Sequence, residues 1–249
     1  WQTILQDELP GVTYNDAFIS SGKYIFGKYI PGKVWLILGK AGYLNERYSL
    51  SMVSLGSIAI YYQIISLIAA TMTGLVILYN INITIFLYVL AFSTMLVLVF
   101  IFLRGWISEK GSKLLSLLLR SNIVMPVLEV KITFRVFALS LLMWLIWSFS
   151  FYVFLISVYG ETDLPFTAGM IFPVSSVLGI IVLIAPGGLG IREGFMVLAL
   201  SLFGISAAQA ASVSLLARIW SLAGEFLCFI TALGMSVKIN KKVKINTNF

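Results

Sequence analysis

No histidine occurs among the 249 residues and Cys228 is the single cysteine, so zinc clusters, Cys–His catalysis and intrachain disulfides lack the groups they need. No metal site and no cofactor is expected. Charge is scarce as well: Asp, Glu, Lys and Arg make up 11% of the chain, where a soluble domain carries about 25%. With 60% hydrophobic residues, there is too little polar surface to cover a globule in water, and the chain reads as an integral membrane protein. The charge that is present leans basic, 17 Lys and Arg against 10 Asp and Glu, but it stands in short segments between apolar runs. That placement suits anionic lipid headgroups, and no nucleic-acid partner is expected. The chain opens on Trp1 without a signal-peptide pattern, so upstream spanning helices are expected to precede it.

A helix that crosses the hydrocarbon core takes about 20 mainly apolar residues. Residues 50–78, 83–103, 134–158 and 212–237 meet that requirement without interruption. The expected fold class is therefore all-α, a polytopic transmembrane bundle forming one domain over residues 1–249. Residues 104–135 carry Arg104, Lys110, Lys113, Arg120, Lys131 and Arg135 against Glu109 and Glu129, and the tail at 238–249 carries Lys238, Lys241, Lys242 and Lys244 with no acid. Glu161 and Asp163 are the only charges just after the third run. The positive-inside bias puts 104–135 and the tail in the cytoplasm of a plasma-membrane protein, and 159–164 outside. Within the basic loop, the leucine-rich stretch at 113–130 reads as a helix resting in the membrane interface.

Two further apolar regions are broken. The later one, 164–203, is interrupted by Ala185-Pro186-Gly187-Gly188-Leu189-Gly190-Ile191-Arg192-Glu193-Gly194. Pro186 removes a backbone donor and ends a helix, while Gly187, Gly188 and Gly190 permit close backbone approach and unusual dihedral angles. A new helix starting near Ile191 would aim its free N–H groups at the break, a site for phosphate or carboxylate, with Arg192 adding a full charge. The alternative is a tight surface turn holding an Arg–Glu pair. Passing from outside at Glu161 to inside at Lys238 takes an odd number of crossings, satisfied either by three spans or by a re-entrant hairpin over 165–204 followed by one span. The re-entrant form fits better, because the run after the break is short and opens on two charges.

Arg218 and Glu225 lie inside the last apolar run. Seven residues apart they share a helix face, but their rise of roughly 10 Å is too long for a direct ion pair. Each needs another partner, so Arg218 is expected to face Glu193 and Glu225 to face Arg192, or a lipid phosphate to lie between them. Structural pairing alone is the alternative, since buried charges in membranes pair whatever their role. The earlier break, Gly27-Lys28-Tyr29-Ile30-Pro31-Gly32-Lys33-Val34-Trp35, repeats the Pro-Gly device before a short apolar helix. A helix start normally prefers an anion, so the Lys33 ammonium there is expected to meet a bound anionic group, or to snorkel to lipid phosphates. Paired broken segments point to a binding site at the membrane midplane.

The segments 29–35 and 185–194, with Arg218 in Ser214-Leu215-Leu216-Ala217-Arg218, resemble the hallmark segments of the lysylphosphatidylglycerol synthase transmembrane, or flippase-like, family. The resemblance covers the chain from about Lys23 onward. It implies movement of a polar lipid between leaflets, an aminoacylated phospholipid or a glycosylated or polyprenyl-linked lipid, by a stand-alone membrane domain without the aminoacyl-transferase domain. On this reading Lys33, Arg192 and Arg218 bind the headgroup with Gly187, Gly188 and Gly190, Glu193 and Glu225 balance charge, and Pro31, Gly32 and Pro186 break the helices. A glycosyltransferase or lipid-modifying enzyme is the expected protein partner if the chain is instead a non-transporting accessory subunit. Enzymatic activity is not expected: Glu193 and Glu225 sit beside arginines, which suits charge pairing rather than proton donation.

Overall fold

The computed structural model describes all residues except 10, 31–33, 120–126, 161–162, 183–185 and 247–249. Pro31, Gly32, Lys33, Arg120, Glu161 and Ala185 therefore lie outside the described residues. Ten helices are seen among the rest, with no strand: α1 (Gln2–Glu8), α2 (Tyr14–Gly22), α3 (Val34–Tyr48), α4 (Met52–Leu75), α5 (Ile83–Phe102), α6 (Arg104–Leu119), α7 (Val130–Tyr159), α8 (Ile171–Ile181), α9 (Ile191–Ser201) and α10 (Ala207–Asn246). The chain is an all-α membrane bundle. Four stretches are long and apolar enough to cross a bilayer, Met52–Asn80, Ile83–Phe102, Val130–Tyr159 and Ala207–Ile239, and they coincide with the four uninterrupted runs of the sequence. The polar ends are set locally. Asn82 accepts from the N–H groups of Thr84 and Ile85 at the start of α5, and Gly160 closes α7 in the left-handed conformation at φ 80°.

The remaining helices are short. α8 and α9 have 11 residues each, about 16 Å at about 1.5 Å per residue, roughly half the hydrocarbon thickness. They pack on each other as a hairpin, and α2 and α3 form a second one. Two cores fix where the hairpins sit along α10. The first gathers Leu164, Ala168, Leu200 and Ile205 with Ala210, Val213 and Ala217 from the early part of α10. The second gathers Ala17, Ile19, Ala41 and Leu44 with Met235 and Ile239 from its later part. The α8–α9 hairpin is thus rooted at the end where α10 begins, and the α2–α3 hairpin at the end where α10 runs out. Their tips meet partway along it, where Tyr29 lies against Gly187.

Close approach is built into each seam. Gly22 of α2 lies so near α10 that an added Cβ would stand 2.7 Å from Ala232 Cβ. Trp144 of α7 donates its indole N–H to the Ser66 carbonyl of α4 at 2.9 Å, tying the two spans together. At the base of the α2–α3 hairpin, the buried Asp16 carboxylate accepts from Thr13 Oγ1 (2.6 Å) and Tyr43 Oη (3.0 Å), from Tyr48 Oη, and pairs with Arg47 Nε at 2.7 Å. Burial alone would lift this carboxyl, but the hydroxyl donors and the guanidinium outweigh it and hold the pKa below the ordinary carboxylate value.

Candidate functional site

The site forms where the two hairpin tips converge on α10. The chain from Ile25 to Tyr29 makes a turn of 3-10 helix, and so does Pro186–Gly188 in the later break. Gly187 and Gly188 have φ of 60° and 72°, left-handed backbone that strongly favours glycine. The close contacts add a second reason. A Cβ on Gly187 would collide with the Tyr29 ring, and one on Gly188 would stand 2.6 Å from Gly179 Cα. Gly179 in turn leaves room for the Arg192 stem, whose Cγ would be 2.6 Å from a Cβ at that position. The break is therefore a packed junction of α8, α9 and the opposite hairpin tip.

Two ion pairs cross this junction. Arg218 Nη1 of α10 lies 2.8 Å from Glu193 Oε1 of α9, with side-chain exposures of 14% and 17%, the pairing the sequence suggested. The other Glu193 oxygen accepts the Gly190 N–H at 2.7 Å, so one carboxylate both caps α9 and anchors it to α10. Glu225 departs from expectation. Its Oε1 pairs with Lys28 Nζ at 2.6 Å and its Oε2 accepts from Tyr29 Oη at 3.0 Å, so the carboxylate expected to face Arg192 is taken by the opposite hairpin. The reason is placement: Lys28 ends its tip beside the middle of α10, whereas Arg192 is drawn across α8 towards Phe172. Counted at about 1.5 Å per residue, Glu225 lies about 27 Å from Ala207 and about 21 Å from Ile239, close to the middle of the span.

Arg192 is left without a counterion. Among the described residues it has no carboxylate within ion-pair distance and no hydrogen-bond acceptor, and its guanidinium lies 5.3 Å from the centre of the Phe172 ring. Beside it is a cavity of about 220 Å³ lined by Lys28, Glu225, Gly187, Ser176 and Ser221 and by an aromatic wall of Trp144, Trp147 and Phe172. The wall is rigid. Trp147 stacks on Phe172 with 5.4 Å between centroids and meets Trp220 edge to face at 5.7 Å. Among the described residues, this chamber offers one cation without an ion-pair partner, one carboxylate already engaged, and an aromatic wall.

Of the residues singled out in the sequence, Gly187, Arg192, Glu193, Arg218 and Glu225 come together here, with Gly188 against α8 and Gly190 at the start of α9. Pro186 opens the 3-10 turn. Pro31, Gly32 and Lys33 are outside the described residues, and the cation seen on that tip is Lys28. Lys28, Tyr29, Trp144, Trp147, Phe172, Ser176 and Gly179 were not anticipated. Only Lys28 and Tyr29 carried a signal, as the polar residues just ahead of Pro31 in a chain where Glu225 needed a cation. Among the described residues no group of His, Cys, Asp and Glu is suited to hold a metal.

The family model described as the lysylphosphatidylglycerol synthase TM region matches residues 1–228. No curated protein matches the chain, and no solved structure does.

Proposed function

The chain belongs to the lysylphosphatidylglycerol synthase TM region family, and on that premise we propose that it binds an anionic or polar membrane lipid by its headgroup and carries it between leaflets. The observation that carries this reading is Arg192: a guanidinium with no counterion among the described residues, set in a cavity near the middle of the α10 span. An uncompensated charge at such a place costs several kcal/mol or more and marks a substrate path by default. A headgroup that crosses without a polar route faces the same cost, since each unsatisfied polar group in hydrocarbon costs several kcal/mol. The two hairpins are read as re-entrant from opposite faces, because each is rooted at a different end of α10 and too short to span. On this reading the basic tail and the α2–α3 hairpin lie on the cytoplasmic side of the plasma membrane, as the positive-inside bias favours.

The chain acts as a carrier and not as an enzyme on this reading. Glu193 is occupied by Arg218 and by the α9 backbone, and Glu225 by Lys28 and Tyr29, so both acids are engaged in holding the tips. Candidate lipids are aminoacylated phospholipids and glycosylated or polyprenyl-linked lipids. The test is reconstitution of the purified chain in liposomes and measurement of leaflet exchange of labelled lipids, with Arg192→Ala alongside. Exchange that Arg192→Ala abolishes supports the reading. Binding without exchange would recast the chain as an accessory subunit that presents a lipid to a glycosyltransferase or lipid-modifying enzyme, and exchange indifferent to Arg192→Ala would remove the site from the account.

A further inference from the structure

We infer that Gly179 and Phe172 of α8 are positioning residues for Arg192, fixing its guanidinium in the cavity and away from Glu225, so that it stays available to an anionic group. The inference rests on the lipid-binding reading above and adds to it the residues that keep the site open. An arginine that shares a buried cavity with a carboxylate tends to close on it, because a buried charge without a partner is costly. Glu225 lines the same cavity as Arg192, yet it pairs with Lys28 and accepts from Tyr29. Something other than charge attraction therefore sets the direction of the Arg192 side chain.

The stem is pinched between two glycines. A Cβ on Gly179 would stand 2.6 Å from Arg192 Cγ and 2.8 Å from its Cδ, and one on Gly188 would stand 3.1 Å from the same Cγ. Both stem carbons thus lie in a slot that an alanine on α8 would fill. Gly188 has a backbone reason to be glycine, its φ of 72°. Gly179 lies within the regular helix α8, where glycine is a poorer helix former than alanine, and the two atoms nearest its missing side chain are both of Arg192. Beyond the slot the guanidinium comes to rest 5.3 Å from the centre of the Phe172 ring, a cation–π contact that strengthens where it is desolvated. The ring is itself held: Trp147 stacks on it at 5.4 Å between centroids, and Phe151 and Trp220 stand at 5.5 and 5.8 Å. Slot and ring fix the direction of the side chain without a hydrogen-bond acceptor, so the guanidinium N–H groups keep their capacity to donate.

Two measurements on the full chain in neutral detergent micelles test this. In the first, arginine labelled with nitrogen-15 in the guanidinium gives an Arg192 Nε–H resonance, identified by its loss in Arg192→Lys and displaced by the Phe172 ring current. Phe172→Leu should abolish that displacement, and Gly179→Ala should change it by pushing the stem out of the slot. Gly224→Ala, at a helical glycine where an added Cβ meets no atom within 4 Å, should leave it as it is. A resonance that Phe172→Leu or Gly179→Ala leaves in place removes that residue from the role. In the second, affinity is read from the quenching of Trp144 and Trp147, which line the cavity, by bromine-labelled phosphatidylglycerol. Gly179→Ala and Phe172→Leu should each weaken binding by about tenfold, and neither should weaken it further in an Arg192→Gln background. An equal loss in that background would show that they act on the fold and not through Arg192, and overturns the inference. Quenching that does not saturate in the unaltered chain, or that Arg192→Gln leaves unchanged, overturns the underlying lipid reading, while the Arg192 resonance still decides the positioning role.

Discussion

Removing one member of the Lys28–Glu225 pair should destabilise the bundle more than removing both. The contact joins the tip of the α2–α3 hairpin to the middle of α10, with Lys28 Nζ 2.6 Å from Glu225 Oε1 and side-chain exposures of 32% and 10%. Breaking a fully buried pair from one side costs about 3–5 kcal/mol, because the remaining charge is left without a partner. Lys28 is about a third exposed, so the figure is discounted towards about 2–3 kcal/mol. The two single changes are not equivalent. Lys28→Met strands the less exposed carboxylate, with only the Tyr29 hydroxyl at 3.0 Å left to it, and should cost about 3 kcal/mol. Glu225→Gln strands a cation on a flexible stem that reaches polar surroundings more easily, and should cost about 2 kcal/mol. Lys28→Met combined with Glu225→Gln leaves no orphan charge and should cost about 1 kcal/mol or less, giving a coupling energy of several kcal/mol of opposite sign to the single losses. The assay is reversible unfolding in detergent micelles followed by circular dichroism. Additive losses, with the double change costing the sum of the singles, would refute the claim that this pair joins the hairpin tip to α10.

Gly187→Ala forces φ of 60° on a residue with a side chain and drives its Cβ into the Tyr29 ring; a loss of about 2–4 kcal/mol is expected in the same unfolding assay, and a change below about 0.5 kcal/mol would mean that the tips are not in contact. Asp16→Asn removes the carboxylate that holds Thr13, Tyr43, Tyr48 and Arg47 at the base of the other hairpin and should cost about 3 kcal/mol at neutral pH. Its pH dependence has a definite sign. The folded pKa lies below the ordinary value of 3.8, so the stabilisation is present above that range and fades as pH falls through the lowered pKa. Unfolding measured from pH 6 down to about pH 2 should therefore converge for the native chain and Asp16→Asn; parallel curves would contradict the assignment.

Much of the architecture was legible because membranes impose simple rules. Runs of about 20 apolar residues have few structural options in lipid, so the four spans stand where the runs are. The Pro186–Gly190 segment announced a break because proline and repeated glycine leave no regular alternative. Arg218 and Glu193 could be matched because both were charges in apolar surroundings with complementary signs. Glu225 was harder. Its partners Lys28 and Tyr29 lie almost 200 residues away, and neither periodicity nor spacing carries information about which tip reaches which turn of α10. The aromatic wall was invisible for a related reason: Trp144 and Trp147 on α7 look like ordinary apolar residues of a span, and only the packing of Phe172 and Trp220 turns them into one side of a chamber. Gly179 sits in a plain apolar run, and its purpose appears only once the Arg192 stem is seen lying against it.

The depth of the junction is the claim on which the rest depends. A nitroxide attached at Leu189→Cys, in a Cys228→Ser background, reports that depth in liposomes through its relative accessibility to oxygen and to a water-soluble nickel complex. Leu189 is half exposed at the tip of the α8–α9 hairpin, so the label projects from the break itself. The account predicts a position about 15 Å from either edge of the hydrocarbon core, near its centre. A label freely accessible to the nickel complex, at the depth of the headgroups or beyond, would place the break in water and contradict it.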